Sequence, residues 1–195
     1  MESSARKFLF GRAERFDKLA NSAFPQHVDS LADAAAKCLK GGGKILAFGN
    51  GGSAALAQHL TGELVGRFLH NRPPLPAIPL TTDTSTLTAI GNDFSFDDIF
   101  ARQIEAHGRK GDLALALTTS GNSQNVVLAL RRARDLGLTG TVIAGRGGGL
   151  SAEVAEIAAI VESDETDFIQ EAHEAAIHYI CHRIEAAVAK AEPTT

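Results

Sequence analysis

Apolar residues recur at three- and four-residue steps through the first 40 residues of the chain. This spacing is typical of helices that bury one face. Pro25 lacks a backbone N–H and clashes with the preceding turn, so we expect two helices between about Ser4 and Leu39 with a break near Pro25. The glycines at 41–43 end the second helix. The apolar series consists of Phe8, Phe16, Leu19, Phe24, Val28, Leu31, Ala35 and Leu39.

From residue 44 onward, short continuous apolar runs alternate with helical patterns. Continuous runs are typical of parallel strands that are buried on both faces. The pattern predicts strands at Lys44–Phe48, Pro76–Leu80, Leu113–Leu117, Gly140–Ala144 and Ala159–Val161. Helices are expected at about Ser53–Leu69, Ser85–Gly91 with Phe96–His107, Ser123–Leu136, Ser151–Ile157 and Asp167–Ala191. This alternation predicts an α/β three-layer sandwich, in which helices flank a five-stranded parallel sheet.

The length of 195 residues suits one domain with a substantial core. No internal repeat or linker interrupts the pattern. We therefore expect a single domain over 1–195, with a helical segment at 1–40 and an α/β core at 41–195.

Charge and cysteine usage narrow the class of protein. The net charge of −4 argues against nucleic-acid binding as the main activity. No stretch reaches the roughly 18 apolar residues of a membrane span, and the first residues lack the apolar core of a signal peptide. Cys38 and Cys181 are far apart, so we expect buried free thiols in a reduced, cytoplasmic protein.

The loop that follows the third predicted strand is rich in hydroxyl groups. Ligands of open α/β sheets bind at the carboxyl ends of strands, where helices begin. Hydroxyls and free N–H groups there can hold a phosphate. The alternative is that Ser123 simply caps the next helix. The density of hydroxyl groups favours a phosphate-binding loop over a simple helix cap. The hydroxyl groups belong to Thr118, Thr119, Ser120 and Ser123.

The loop after the first strand, "GNGGS", is less informative by itself. It has neither the lysine of a P-loop nor the glycine spacing of a dinucleotide fingerprint. Taken alone, it predicts a tight turn with Ser53 as the N-cap of the next helix.

Two helical segments carry groups that can bind a metal. His59 and Glu63 are four residues apart, so they share one helix face and can reach one ion or substrate, or form an ordinary surface pair. A mixed set of His, Glu and Gln suits zinc or a similar divalent ion. Spacing does not choose among the candidates in the last helix, which are Asp167, Gln170, Glu171, His173, His178 and His182.

Five blocks in collinear order give the chain a family resemblance. They are "GNGGSAALAQHLTGE", "NRPPLPAIPLTTD", "TAIGNDFSFDDIFARQIEA", "GDLALALTTSGNS" and "IQEAHEAAIH". Together, from about Gly43 to Glu185, they resemble the phosphoheptose isomerase (sedoheptulose 7-phosphate isomerase) family of the SIS-domain superfamily. One departure is Phe168, which stands where the family often has a basic residue, so that a surface or substrate contact would be lost.

The resemblance implies an enzyme that converts sedoheptulose 7-phosphate to an aldoheptose 7-phosphate. Glu63 would be the base and His178 the acid. One zinc ion per subunit would be held by His59, Glu63, Gln170 and His178, which leaves His173 and His182 outside the ligand set. Substrate contacts would fall on Asn50, Gly51, Gly52, Glu63, Arg67, Asn92, Asp93, Thr118, Thr119, Ser120, Ser123, Asp167 and Gln170.

The resemblance also implies a homotetramer with active sites at subunit interfaces, assembled through the N-terminal helices. Neither nucleic acid nor membrane is expected as a partner. The alternative is a non-catalytic SIS protein, because a relative that binds the bacterial replication initiator resembles "SAALAQH" and "TDTSTLTAI". That branch does not keep the residues at positions 63 and 178, and both are present here. A phosphosugar sensor would carry a DNA-binding segment, and none precedes residue 44 convincingly.

Overall fold

Five parallel strands form the centre of the computed structural model, which describes residues 3–189. The sheet order is β2-β1-β3-β4-β5, and every neighbouring pair is parallel. β1 and β3 are buried at every position, as their continuous apolar runs predict. The strands are β1 (Ile45–Gly49), β2 (Ala77–Pro79), β3 (Leu113–Thr118), β4 (Thr139–Gly145) and β5 (Ile157–Val161).

Helices cover both faces of the sheet, which confirms the predicted α/β sandwich. Successive strand residues point to opposite faces, so Ile45 and Ala47 pack into one apolar cluster while Leu46 and Phe48 pack into another. The helices are α1 (Ser4–Ala20), α2 (Phe24–Lys40), α3 (Gly52–Val65), α4 (Thr84–Asp93), α5 (Ala101–His107), α6 (Gln124–Asp135), α7 (Gly149–Val154) and α8 (Thr166–Ala189). A 3-10 turn, Phe96–Asp98, lies between α4 and α5.

The two layers differ in the helices that build them. α2, α3 and α8 contribute to the first cluster, and α4, α5 and α6 contribute to the second. α8 packs on both α2 and α3. The first layer therefore brings α3 and α8, the two helices with candidate metal-binding groups, into direct contact.

The break between the N-terminal helices lies just before Pro25. α1 ends at Ala20, and α2 begins at Phe24 with Pro25 in its first turn. Proline is tolerated there because the first N–H groups of a helix have no intrahelical partner. The Ser22 hydroxyl accepts a hydrogen bond from the Phe24 N–H at 3.1 Å. The predicted break is thus confirmed.

Two predicted helix ends were wrong. α3 ends at Val65 rather than Leu69, because the guanidinium of Arg72 binds carbonyl groups of its last turn. α7 ends at Val154, and Ile157 instead begins β5, where it pairs with Thr141 of β4. Residues 190 and 191, predicted to end the last helix, lie outside the described residues.

The cysteine prediction is confirmed. Cys38 and Cys181 are both buried and free. Burial raises the pKa of Cys38 to about 11 and that of Cys181 to about 12, which keeps both as unreactive thiols. None of the helices within residues 3–189 has the length and apolar character needed to cross a membrane.

Candidate active site

Three polar side chains from α3 and α8 meet at the interface of these helices. The His59 Nε2 atom lies 3.1 Å from Glu63 Oε1 and 3.4 Å from His178 Nε2. The two imidazole rings stand edge to face, with centroids 5.0 Å apart. The fold thus brings together His59 and His178, which are 119 residues apart in sequence. Glu63 Oε1 and His178 Nε2 both lie next to His59 Nε2.

The turn after β1 sets the start of α3 beside α8. Gly51 has φ of 56°, a backbone conformation that favours glycine, and it precedes the first residue of the helix. Ser53 therefore lies inside the first turn and is not the N-cap, which corrects the sequence prediction. A Cβ atom at Gly52 would lie 2.3 Å from Gln170 Nε2. The glycine lets the Gln170 amide lie against the backbone of α3.

The hydroxyl loop after β3 borders a small polar cavity of about 50 Å³. Ser123 precedes α6, and its side chain makes no capping hydrogen bond. The alternative prediction, that the Ser123 hydroxyl caps this helix, is therefore wrong. Thr118 Oγ1 instead accepts a hydrogen bond from the Gly121 N–H at 3.2 Å, which shapes the loop. The cavity is lined by Asn50, Ser53, Leu117, Thr118, Thr119, Ser123 and Gln170.

Asn50 is held in place by a reciprocal amide pair. Its Nδ2 donates to Asn125 Oδ1 at 2.9 Å, and Asn125 Nδ2 donates back to Asn50 Oδ1 at 2.9 Å. Asn125 is buried in α6. This pair fixes the wall of the hydroxyl-lined cavity where β1 and β3 end side by side.

Gln170 connects this cavity to a second, larger one. The second cavity has a volume of about 340 Å³ and is lined by Gly52, Leu56, Asp167, Gln170, Glu171 and Glu174. Gln170 and Gly52 stand at the side that faces the hydroxyl loop. Glu174 stands near the imidazole of His59, with Oε1 3.6 Å from Nδ1. Gln170 thus joins the two cavities, and Glu174 joins the larger cavity to the histidine cluster.

Asp167 is engaged by a residue of α1. Its Oδ2 atom accepts a hydrogen bond from Arg12, and Arg12 Nε lies 3.0 Å from Glu171 Oε2. The Phe168 N–H donates to Asp167 Oδ1 at 2.9 Å, and this bond, together with Arg12, lowers the pKa of Asp167. The Phe168 side chain is buried against Phe16 of α1 and belongs to the apolar core, not to the surface of the protein.

Three predicted substrate contacts are not among the residues that line these cavities. Arg67, Asn92 and Asp93 are exposed, and none of them lines either of the two cavities within residues 3–189. The Asn92 amide donates to Asp93 Oδ1 at 2.8 Å at the end of α4. Gly51 and Ser120 belong to the two loops beside the hydroxyl-lined cavity without being among its lining residues.

His173 takes no part in the site. It is fully buried, and its two ring nitrogens have no hydrogen-bond partner among the described residues. Burial lowers its pKa to about 4, so it is neutral at pH 7. His182 is exposed.

A buried carboxylate that the sequence analysis missed holds the segment after α3. Glu185 of α8 accepts hydrogen bonds from the backbone N–H groups of Phe68, Leu69 and His70 at 3.0–3.1 Å. It also accepts one from Arg72 Nε at 3.0 Å. No feature of the sequence pointed to this role for Glu185, because most of its hydrogen-bond donors are backbone groups.

Arg72 connects this carboxylate to the end of α3. Its Nη2 donates to the Glu63 carbonyl at 2.6 Å, and its Nη1 donates to the Leu64 carbonyl at 2.8 Å. Phe68, in the held segment, stacks on the His178 ring at 5.7 Å and an interplanar angle of 20°. The Arg72–Glu185 pair therefore holds the backbone of Glu63 and the backbone of Phe68, whose ring covers His178.

The donor set fits a divalent metal such as zinc. Imidazole nitrogen and carboxylate oxygen are common zinc ligands. Donor atoms of His59, Glu174 and His178 lie within 4.8 Å of one another. Glu63 Oε1 adds an oxygen next to His59 Nε2.

The chain is similar to proteins of a known family. A SIS domain family model matches residues 14–145. A phosphoheptose isomerase from Aquifex aeolicus (strain VF5) is 52% identical over 83% of this chain and 85% of its own length. One from Paramagnetospirillum magneticum (strain AMB-1) is 51% identical over 92% of this chain and 94% of its own. The structure of a phosphoheptose isomerase from Francisella tularensis superposes with a TM-score of 0.88 at 38% identity, covering 95% of this chain and all of that one. The chain belongs to the phosphoheptose isomerase family of SIS-domain proteins.

Proposed function

We propose that this chain, as a single domain, converts sedoheptulose 7-phosphate to D-glycero-D-manno-heptose 7-phosphate. This reaction is the first step in making ADP- or GDP-heptose precursors. The observation that carries the proposal is the convergence of His59, Glu63 and His178 on a face that continues to a hydroxyl-lined cavity. The relatives are named as isomerases, which favours catalysis over the alternative of a non-catalytic binding protein.

The reaction moves a proton between C1 and C2 of the sugar, through an enediol. It needs a base, an acid and a way to hold the phosphate away from the reacting carbons. Glu63 removes the C1 proton while His178 protonates the C2 carbonyl oxygen, which gives the enediol. Glu63 then returns a proton to C2 as the C1 hydroxyl gives up its proton to His178. The hydroxyl groups at 118–123 bind the phosphate, and Gln170 lies between the two ends.

We assign one zinc ion per subunit to His59, Glu63, Gln170 and His178. Zinc would act there as a Lewis acid that polarises the sugar oxygens. The protein side chains orient one another as well, because Phe68 covers His178 and Arg72 holds the backbone of Glu63.

A homotetramer with active sites at subunit interfaces accounts for two surface features. Phe8, Leu9 and Phe10 on α1 are more than half exposed. An apolar groove of about 280 Å³ lies where α1, α2 and α8 meet, with Phe16, Val28 and Ala176 among its lining residues. Contiguous apolar surface of this kind is typical of subunit interfaces. A neighbouring copy would complete the site around Arg67, Asn92 and Asp93. The cytoplasm is the expected location.

Removal of zinc tests the proposed function. Sedoheptulose 7-phosphate is incubated with the protein as purified, after chelation with EDTA, and after zinc is restored. We expect an aldoheptose phosphate from the first and third samples and at least about a hundredfold lower rate in the second, because the metal supplies several kcal/mol of transition-state stabilisation. The absence of product in all three samples contradicts the proposal, and binding of purified replication initiator would then favour the non-catalytic alternative.

Gly52→Ala tests the role of Gln170. The added methyl group meets the end of the Gln170 side chain, so the chain folds but the amide is displaced. We expect kcat/KM to fall about 10- to 100-fold, because small misplacements of positioning groups have large effects. Gly62→Ala is the matched control on α3, where a Cβ atom meets nothing within 4 Å. Wild-type kcat/KM in Gly52→Ala would contradict the role given to Gln170.

A further inference from the structure

The two nitrogens of His59 face different groups. Nε2 faces Glu63 Oε1 at 3.1 Å and His178 Nε2 at 3.4 Å. Nδ1 faces Glu174 Oε1 at 3.6 Å, an electrostatic contact longer than a hydrogen bond. His59 therefore sits between the cluster that carries the proposed chemistry and a carboxylate outside the assigned ligand set.

The position of Glu174 along α8 is fixed by helix geometry. It lies four residues after Gln170 and four before His178, so all three side chains share one face of the helix. Within residues 3–189 the Glu174 carboxylate has no Lys or Arg partner, and it approaches the His59 ring instead. Its side chain is 48% exposed and lines the 340 Å³ cavity. No structural ion pair explains its place on this face.

A neutral imidazole carries its proton on one nitrogen and a lone pair on the other. Only a lone pair on Nε2 can bind a metal held with Glu63 and His178, so the proton must lie on Nδ1. A carboxylate beside Nδ1 favours that tautomer and fixes the orientation of the ring.

We propose that Glu174 is a positioning residue that orients His59 and fixes its tautomer for zinc binding. This inference rests on the proposed function and adds to it a residue outside the four assigned ligands. A Glu174 oxygen lies within 4.8 Å of donor atoms of His59 and His178, but its contact with His59 is to Nδ1, not to the nitrogen that faces Glu63. Glu174 therefore acts through the Nδ1 side of His59 and does not itself bind the ion.

The experiment compares zinc affinity in wild type, Glu174→Ala and Glu174→Gln, by competition with a chromophoric chelator. Loss of an outer carboxylate partner typically weakens metal binding about 10- to 100-fold, and we expect this loss for Glu174→Ala. Glu174→Gln keeps an oxygen acceptor and should retain most of the affinity. Asp135→Ala, an exposed site at the far end of α6, controls for the change in net charge.

The absorption spectrum of the cobalt-substituted protein separates positioning from direct ligation. We expect the d–d bands of Glu174→Gln to match those of wild type, because the ligand atoms are unchanged. Altered bands would show that Glu174 binds the metal and would overturn the positioning role. Zinc affinity of Glu174→Ala within about twofold of wild type would overturn the positioning role as well. The proposed function would still stand in that case if the wild-type protein turned over sedoheptulose 7-phosphate. A wild-type protein that neither binds zinc nor turns over the sugar would overturn both.

Discussion

Glu63→Gln is expected to lower the isomerase kcat by about 10²- to 10⁴-fold, the usual contribution of a general base. The substitution keeps the size of the side chain but removes the carboxylate that accepts the proton. The Glu63 carbonyl still accepts its hydrogen bond from Arg72, so we expect the fold to persist. Because Glu63 is also an assigned zinc ligand, turnover is measured at saturating zinc and the bound metal is quantified alongside.

His178→Ala and His182→Ala form a matched pair that tests the acid in the same assay. Both residues belong to α8, four positions apart, but only His178 meets His59 and Phe68. We expect His178→Ala to lose turnover to a similar extent and His182→Ala to keep it. Wild-type turnover in Glu63→Gln or His178→Ala, with the protein folded, would contradict the roles assigned here.

Glu185→Ala is expected to destabilise the protein by about 3–5 kcal/mol, the usual effect of removing one partner of a buried ion pair. Glu185 is 3% exposed, and its loss leaves Arg72 and three backbone N–H groups without their acceptor. Urea unfolding at pH 7 measures the change. Asp29→Ala, which breaks an exposed pair with Arg183, is the control and should cost at most about 1 kcal/mol.

The pH dependence of the same measurement gives an independent check. Burial raises the pKa of Glu185, but its hydrogen bonds from backbone N–H groups and the charge of Arg72 outweigh burial and leave the pKa lowered. Its stabilising contribution is therefore present above the ordinary value of 4.5 and is lost as the pH falls through the lowered pKa. The stability difference between wild type and Glu185→Gln should shrink below about pH 4.5. A difference that is constant with pH would contradict this assignment.

The sheet was predictable from the sequence because its physical cause is local. Runs such as Leu113–Leu117 are apolar at successive positions, and such short runs are typical of strands that are buried on both faces. The hydroxyl loop was predictable for the same reason, since a strand's carboxyl end must face a helix start. The i,i+4 spacing of His59 and Glu63 likewise placed them on one face of α3.

What the sequence could not supply was the register between α3 and α8. Spacing along α8 allowed several histidines, and only the packing buries His173 while it turns His178 toward His59. The early end of α3 was missed because its cause, Arg72, acts on backbone carbonyls. Glu174 gave no signal in the sequence because the ring that it contacts, that of His59, lies on another helix.

Isomerisation of sedoheptulose 7-phosphate in D₂O, followed by NMR, tests the central claim most directly. A proton held by Glu63 can exchange with solvent before it is returned to C2, whereas a hydride shift between C1 and C2 carries the original hydrogen without exchange. The account predicts an aldoheptose 7-phosphate with deuterium at C2 from the wild-type protein and little product from Glu63→Gln. Product with no deuterium at C2, or no aldose from the zinc-loaded wild type, would contradict it.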